Sequence, residues 1–208
     1  MTNPRSLLTP ADSAVLLIDH QAGLAFAVES IDRQAMLNNT IALAKTAATF
    51  GLPIIVSTSA TKVYSGPLMP AIRSVIPDVP VIDRRSMNVW EDEAARSAVE
   101  ATGRRRLIVS GLLTEACVSF PVLSALSDGY EVFVAADACG GLTPTSHDLA
   151  LRRMESAGAQ LTSWIQVLLE LQRDWTRRDT YEGARSIVEA HGGGYGIGLN
   201  YAREMIKA

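Results

Sequence analysis

Cysteine is scarce in this 208-residue chain: Cys117 and Cys139 are too few for a disulfide framework and lack the spacing of a metal site. A reducing, cytoplasmic setting is therefore expected. An excess of charge of one sign is also missing. Nineteen Lys+Arg against 22 Asp+Glu leave a formal net charge of −3, which offers no electrostatic footprint for nucleic acid. The short run Arg104-Arg105-Arg106 reads as a solvated edge before a strand. No apolar run approaches the roughly 18 residues that a membrane span requires. Residues 1–10 hold no basic segment followed by a long apolar core, so a soluble, unexported protein with no membrane partner is expected. The three histidines, His20, His147 and His191, form no i, i+4 pair and no local triad. Glycine is present, but no stretch of it has the strand-then-helix context of a phosphate loop.

What the chain does have is alternation. Short apolar runs at residues 14–18, 54–57, 79–82, 107–110, 131–135 and 159–162 read as strands. Between them, residues 33–50, 91–102, 116–127, 145–157 and 164–173 read as helices, closed in three cases by Gly51, Gly103 and Gly129. Residues 58–70, with Gly66, Pro67 and Pro70, read as a loop. Strands alternating with helices at this spacing predict a three-layer α/β/α domain with a six-stranded, mainly parallel sheet. Its expected span is residues 1–175. Residues 176–208 carry too few large apolar side chains for a core of their own, and are expected to form a helical extension packed on the domain or on a neighbouring subunit.

The chemistry concentrates at Leu107-Ile108-Val109-Ser110-Gly111-Leu112-Leu113-Thr114-Glu115-Ala116-Cys117. A buried strand runs into a turn, and Thr114-Glu115 resembles a helix start, which puts Cys117 in the first turn. Free backbone N–H groups there lower a thiol pKa and can donate to an oxyanion. A buried cysteine packing a helix on a sheet would look similar. The position favours chemistry, because ligands of open α/β sheets bind outside the carboxyl ends of the strands.

Gly111-Leu112-Leu113-Thr114-Glu115-Ala116-Cys117 resembles the G-x-x-T-[DE]-x-C motif of the isochorismatase-like cysteine hydrolase superfamily. Ala14-Val15-Leu16-Leu17-Ile18-Asp19-His20-Gln21 resembles its first strand, which ends in the catalytic aspartate, and Val81-Ile82-Asp83-Arg84 falls where the family carries a cation. The likeness extends over about residues 12–175 and is greatest to the YcaC-type hydrolases, through Asp19-His20-Gln21-Ala22-Gly23-Leu24, Asn88-Val89-Trp90 and Gly158-Ala159-Gln160-Leu161.

The resemblance implies a triad of Asp19, Arg84 and Cys117. Asp19 would take the thiol proton and return it to a leaving amine, while Cys117 would form a thioester later hydrolysed by water. Arg84 stands where the family usually has lysine, and as a permanently charged fork it would hold Asp19 rather than move protons. Arg85 is its rival, since side chains alternate along a strand. The resemblance also implies a cis peptide at Leu112–Leu113 and an oxyanion hole from the Leu113 and Cys117 N–H groups. Gln21, Phe26, Trp90 and Thr114 are candidate pocket walls, with a core role an equal alternative for the two aromatics. His20 borders this region as well, and Cys139 is read as structural.

Where metal-binding nicotinamidases of the superfamily carry Asp-x-His, this chain has Ser57-Thr58-Ser59, so no metal and no cofactor are expected. Retention of Cys117 points to C–N bonds rather than to a vinyl ether. The expected activity is hydrolysis of a small amide-type substrate by a homo-oligomer, tetramer or octamer. The alternatives are a non-hydrolytic reactive-thiol protein and a binding or scaffold protein that has lost the reaction.

Overall fold

The computed structural model describes residues 7–206. The first six residues, where no leader is expected, and the last two lie outside the described residues. β1 (Ser13–Ile18) is buried along its whole length, as the centre of a parallel sheet requires. A four-residue turn of helix, α1 (Ala22–Ala25), follows, and then α2 (Arg33–Thr49), whose first turn is capped by the Asp32 carboxylate accepting the Ala35 N–H at 2.8 Å. β2 (Ile54–Ser59), the short α3 (Pro70–Arg73) and β3 (Val81–Arg84) complete the first half.

β3 starts two residues later than expected from the apolar run. Pro80 has no N–H for a ladder, and pairing with β2 begins at Val81 opposite Val56. Arg84 thus becomes the last residue of the strand. In the second half, α4 (Glu93–Ala101) is capped by Asp92, and β4 (Arg106–Gly111) leads through a wide π-helical turn, Thr114–Val118, into α5 (Ser119–Ser127). β5 (Glu131–Ala135), α6 (Pro144–Ser156), β6 (Gln160–Thr162) and α7 (Trp164–Gln172) follow.

All six strands are parallel, in the order β3-β2-β1-β4-β5-β6. The chain reverses its direction of progress between β1 and β4, where Ile18 lies opposite Gly111. That is the place at which an open α/β sheet leaves a crevice. Gly111 is needed there: a Cβ on it would fall 2.5 Å from the Ile18 carbonyl oxygen. Odd and even positions of the strands feed two separate cores. Val15, Leu17, Val56 and Ile108 pack under α2 and α7, and Leu16, Ile18, Leu107 and Val109 pack under α4, α5 and α6.

The arginine run divides on folding. Arg106 is buried at the start of a central strand, where Glu131 at 3.0 Å and Asp12 at 3.3 Å on the flanking segments neutralise it, so it is not part of a solvated edge. Beyond α7, α8 (Arg178–His191) lies on α2 and adds Ala184, Ile187 and Val188 to the first core, and α9 (Gly193–Tyr201) packs back on α8. Among the described residues no helix is long and apolar enough to cross a membrane.

The burial of Ile187 makes α8 part of the cooperative unit. Ile187→Ala is expected to lower the unfolding free energy by about 3 kcal/mol in urea denaturation. A change under about 0.5 kcal/mol, the size of a surface substitution, would mean that α8 unfolds independently.

Candidate functional site

Asp19 follows β1 with a left-handed φ of 55°, a conformation that aspartate tolerates better than most side chains. Its N–H donates to the Ser57 carbonyl at 2.8 Å, and its carbonyl accepts from the Gln21 N–H at 2.7 Å, so the backbone turns sharply and tucks the carboxylate over the sheet edge. That carboxylate is fully buried. It is gripped by both terminal nitrogens of Arg84: Nη2 donates to Oδ2 at 2.7 Å and Nη1 donates to Oδ1. The fork is itself held, Nη1 donating to Ser57 Oγ at 2.9 Å and Nη2 to the Met87 carbonyl at 3.1 Å. Ser59 Oγ donates to Asp19 Oδ2 at 3.2 Å. Burial would push the Arg84 pKa down, but the hydrogen bonds and charge of Asp19 outweigh it and the pKa is raised. Arg85 is exposed.

Cys117 lies in the π-helical turn, partly buried, with its thiol facing the Asp19 carboxylate and the Leu113 N–H. The expected lowering of the thiol pKa is reversed here. Burial, then the Asp19 charge and hydrogen bond, push Cys117 up to about 11, and the opposing pull of the Leu113 N–H and Arg84 is smaller. The helix-start argument omitted the carboxylate facing the thiol. The Leu112–Leu113 peptide is cis.

The four candidate pocket residues have different surroundings. Gln21 is buried and spends its amide on the backbone, accepting from the Ser59 N–H at 2.9 Å and donating to the Ser59 carbonyl at 3.0 Å and to the Gly66 carbonyl. Thr114 is buried too: its N–H donates to the Gly140 carbonyl at 2.9 Å, and its hydroxyl lies 2.8 Å from His147 Nδ1. Trp90 sits in the second core, its Nε1–H donating to Asp128 at 2.8 Å and its ring edge-on to Tyr130. Phe26 is 76% exposed. None of these four has a side-chain hydrogen bond to Asp19, Arg84 or Cys117 among the described residues.

His20 is buried beside Ser110, with Nε2 3.0 Å from Ser110 Oγ, and burial drives its pKa down to about 3, so it is neutral. Cys139 is buried, and burial pushes its thiol up to about 12. Ser57, Ser59 and the Met87 carbonyl were not singled out from sequence. The hydroxyls at alternate positions of β2 were the available signal, since residues i and i+2 share a face. From sequence, Glu115 reads only as part of a helix start and of the motif. Its Oε1 accepts from the Leu142 N–H at 2.9 Å and from Ser146 Oγ at 3.1 Å, which ties the nucleophile turn to the start of α6.

Comparison with known proteins places this geometry. The isochorismatase domain family model matches residues 13–166. The chain is 43% identical over 192 residues to the probable hydrolase YcaC of Escherichia coli K12, covering 92% of this chain and 91% of that protein. Its structure superposes on that of E. coli YcaC, described as an octameric hydrolase of unknown specificity, with a TM-score of 0.92 and 41% identity over 99% of this chain and 100% of that one. Superposition on YcaC from Pseudomonas aeruginosa, with hexane-2,5-diol and covalent acrylamide, gives a TM-score of 0.90 and 41% identity over 96% and 98% of the two chains.

Two outcomes follow from this geometry. Arg84→Met leaves a buried carboxylate without its partner and is expected to cost about 3–5 kcal/mol of stability in urea unfolding, with Arg84→Lys recovering part of it. A loss below about 1 kcal/mol for the methionine variant would contradict the burial of the pair. In the second, wild-type Cys117 is about one part in a thousand thiolate at pH 8, so iodoacetamide alkylation should be slow there and accelerate as pH rises toward about 11. Asp19→Asn removes a charge that raises the thiol pKa, so alkylation at pH 8 should quicken. Slower alkylation in that variant would mean that Asp19 activates the thiol toward every electrophile rather than restraining it.

Proposed function

The chain belongs to the isochorismatase family, and from that premise we propose that it is a cysteine-dependent hydrolase that opens a small amide-type C–N bond through a thioester on Cys117. The observation that carries the reading is the contact of the Cys117 thiol with an Asp19 carboxylate that Arg84 holds in a two-pronged grip. A thiol pushed up to about 11 is a neutral donor at neutral pH, and its natural acceptor is the carboxylate it already faces.

In the proposed reaction, sulfur attacks the substrate carbonyl as its proton passes to Asp19. The oxygen gains negative charge within reach of the Leu113 N–H, with the Cys117 N–H as second donor, an arrangement worth roughly 3 kcal/mol per donor in acyl transfer. Asp19 returns the proton to the nitrogen as the C–N bond breaks, and the amine leaves. Water, deprotonated by Asp19, then cleaves the thioester, restoring the thiol and releasing a carboxylic acid. Amide and water are consumed, and acid and amine are formed. Arg84 stays protonated throughout and keeps both carboxylate oxygens oriented. The protein would work without metal or cofactor, in the cytoplasm, as a homo-oligomer; the octameric E. coli relative supports the last point.

A second reading is a reactive-thiol protein without hydrolase activity. The covalent acrylamide in the P. aeruginosa relative favours it specifically, because acrylamide carries an electrophilic alkene as well as an amide. The two separate by intact-protein mass spectrometry with a panel of small saturated amides, hydroxamates and ureas. Hydrolysis predicts an acyl adduct on Cys117 with release of amine, absent in Cys117→Ala, and loss of turnover in Asp19→Asn by at least about a thousandfold. If every saturated amide survives while Cys117 collects only electrophile adducts, the hydrolase reading fails.

A further inference from the structure

A cleft of about 760 Å³ lies between α2, α3 and α8, sharing no residue with the Asp19–Arg84–Cys117 site. Its volume is that of a small-molecule site. Ile41, Val75 and Ile187 give it apolar walls, and Lys45 and His191 stand together in its lining.

The charge in this cleft is uncompensated. Lys45 has no ion pair among the described residues, and no carboxylate lines the cleft. Its ammonium is nevertheless aimed. Lys45 Nζ lies 2.9 Å from His191 Nε2, and an ammonium can only donate, so Nε2 accepts. The ring proton is then on Nδ1, which donates to Asn38 Oδ1 at 2.8 Å, while Asn38 Nδ2 donates to the His191 carbonyl at 3.1 Å, consistent with the same amide orientation. This chain of bonds joins α2 to the end of α8 and leaves two of the three ammonium protons available. Burial, then the Lys45 charge, lowers the His191 pKa, in keeping with a neutral ring.

We propose that this cleft binds a small monocarboxylate with an apolar body, its carboxylate on Lys45 and its carbon chain along Ile41, Val75 and Ile187. A cation paired only with a neutral imidazole satisfies one ligand charge, and the apolar walls reward a hydrocarbon portion rather than an inorganic anion.

Octanoate titrated calorimetrically into the full-length protein tests this, with octanol and inorganic phosphate as comparison probes. Saturable octanoate binding is expected, weakened about tenfold or more by Lys45→Met and lost in Ser186→Trp, which fills the cleft from the exposed face of α8. Octanol and phosphate should show no comparable binding, and both variants should keep the wild-type rate of Cys117 alkylation, as a measure of intact folding. Absence of saturable binding to the wild type, equal affinity for octanol, or indifference to Lys45→Met overturns the proposal. If octanoate fails and Lys45→Met changes the particle mass in light scattering, the cleft is a contact with a second copy of the chain, and the small-ligand assignment is overturned. None of these readouts depends on hydrolysis, so failure here and failure of the hydrolase reading are separable.

Discussion

The buried pair between Asp19 and Arg84 is the constraint on which the rest of the site depends. A carboxylate removed from water is tolerated only when its charge and its lone pairs are all met, and three strands contribute to meeting them. β3 delivers the guanidinium, β2 delivers the hydroxyls of Ser57 and Ser59, and the turn after β1 delivers the carboxylate. The parallel register makes this possible, because Ser59 lies opposite Arg84 and the Asp19 N–H reaches the Ser57 carbonyl. The same ion pair has a second consequence one strand further along. Burial raises the pKa of Cys117 most, Asp19 adds to that and Arg84 opposes it, so two of the charges felt by the sulfur belong to residues that are themselves locked together.

The turn that carries Cys117 is held just as closely. Gly111 lets β4 close on β1 at the point where the sheet changes direction, Thr114 anchors to Gly140, and Glu115 reaches Leu142 and Ser146. Thr114 and Glu115 are thus committed to holding the loop between β5 and α6. The thiol itself packs on the second core and faces Asp19 and the Leu113 N–H.

The fold was legible because its signals are redundant: six apolar runs, each separated by a helix-length segment, admit few arrangements other than a parallel sheet covered on both faces. The ends of elements were less so. Pro80 delays β3, and Asn88 and Asp92 insert a short turn before α4, effects of single residues that periodicity does not register. At the site, the resemblance to the family is what pointed to Asp19, Arg84 and Cys117. Spacing alone could not choose between Arg84 and Arg85; the strand's extension to residue 84 decides which of them meets the carboxylate. Trp90 shows the opposite limit. Its place in sequence, just past Arg84, suggested a pocket wall, but an indole that can bury its ring on Tyr130 and satisfy its N–H at Asp128 packs into the core. A helix start is a local feature, whereas the burial of the Cys117 thiol, and then the carboxylate of Asp19 facing it, come from tertiary packing that the local sequence does not register.

The left-handed backbone at Asp19 bears on how this site can change over generations. Few side chains accept that φ without penalty; asparagine is one, and it matches aspartate in size while being unable to take a proton as a carboxylate does. Most other replacements would disturb the turn, the sheet edge and the packing around Arg84 together. If Asp19 transfers a proton as proposed, the least disruptive step away from that role is therefore a single, nearly isosteric exchange that spares the backbone. Under the proposed mechanism, a lineage that drifts toward binding without turnover would keep the scaffold and lose the chemistry by that route.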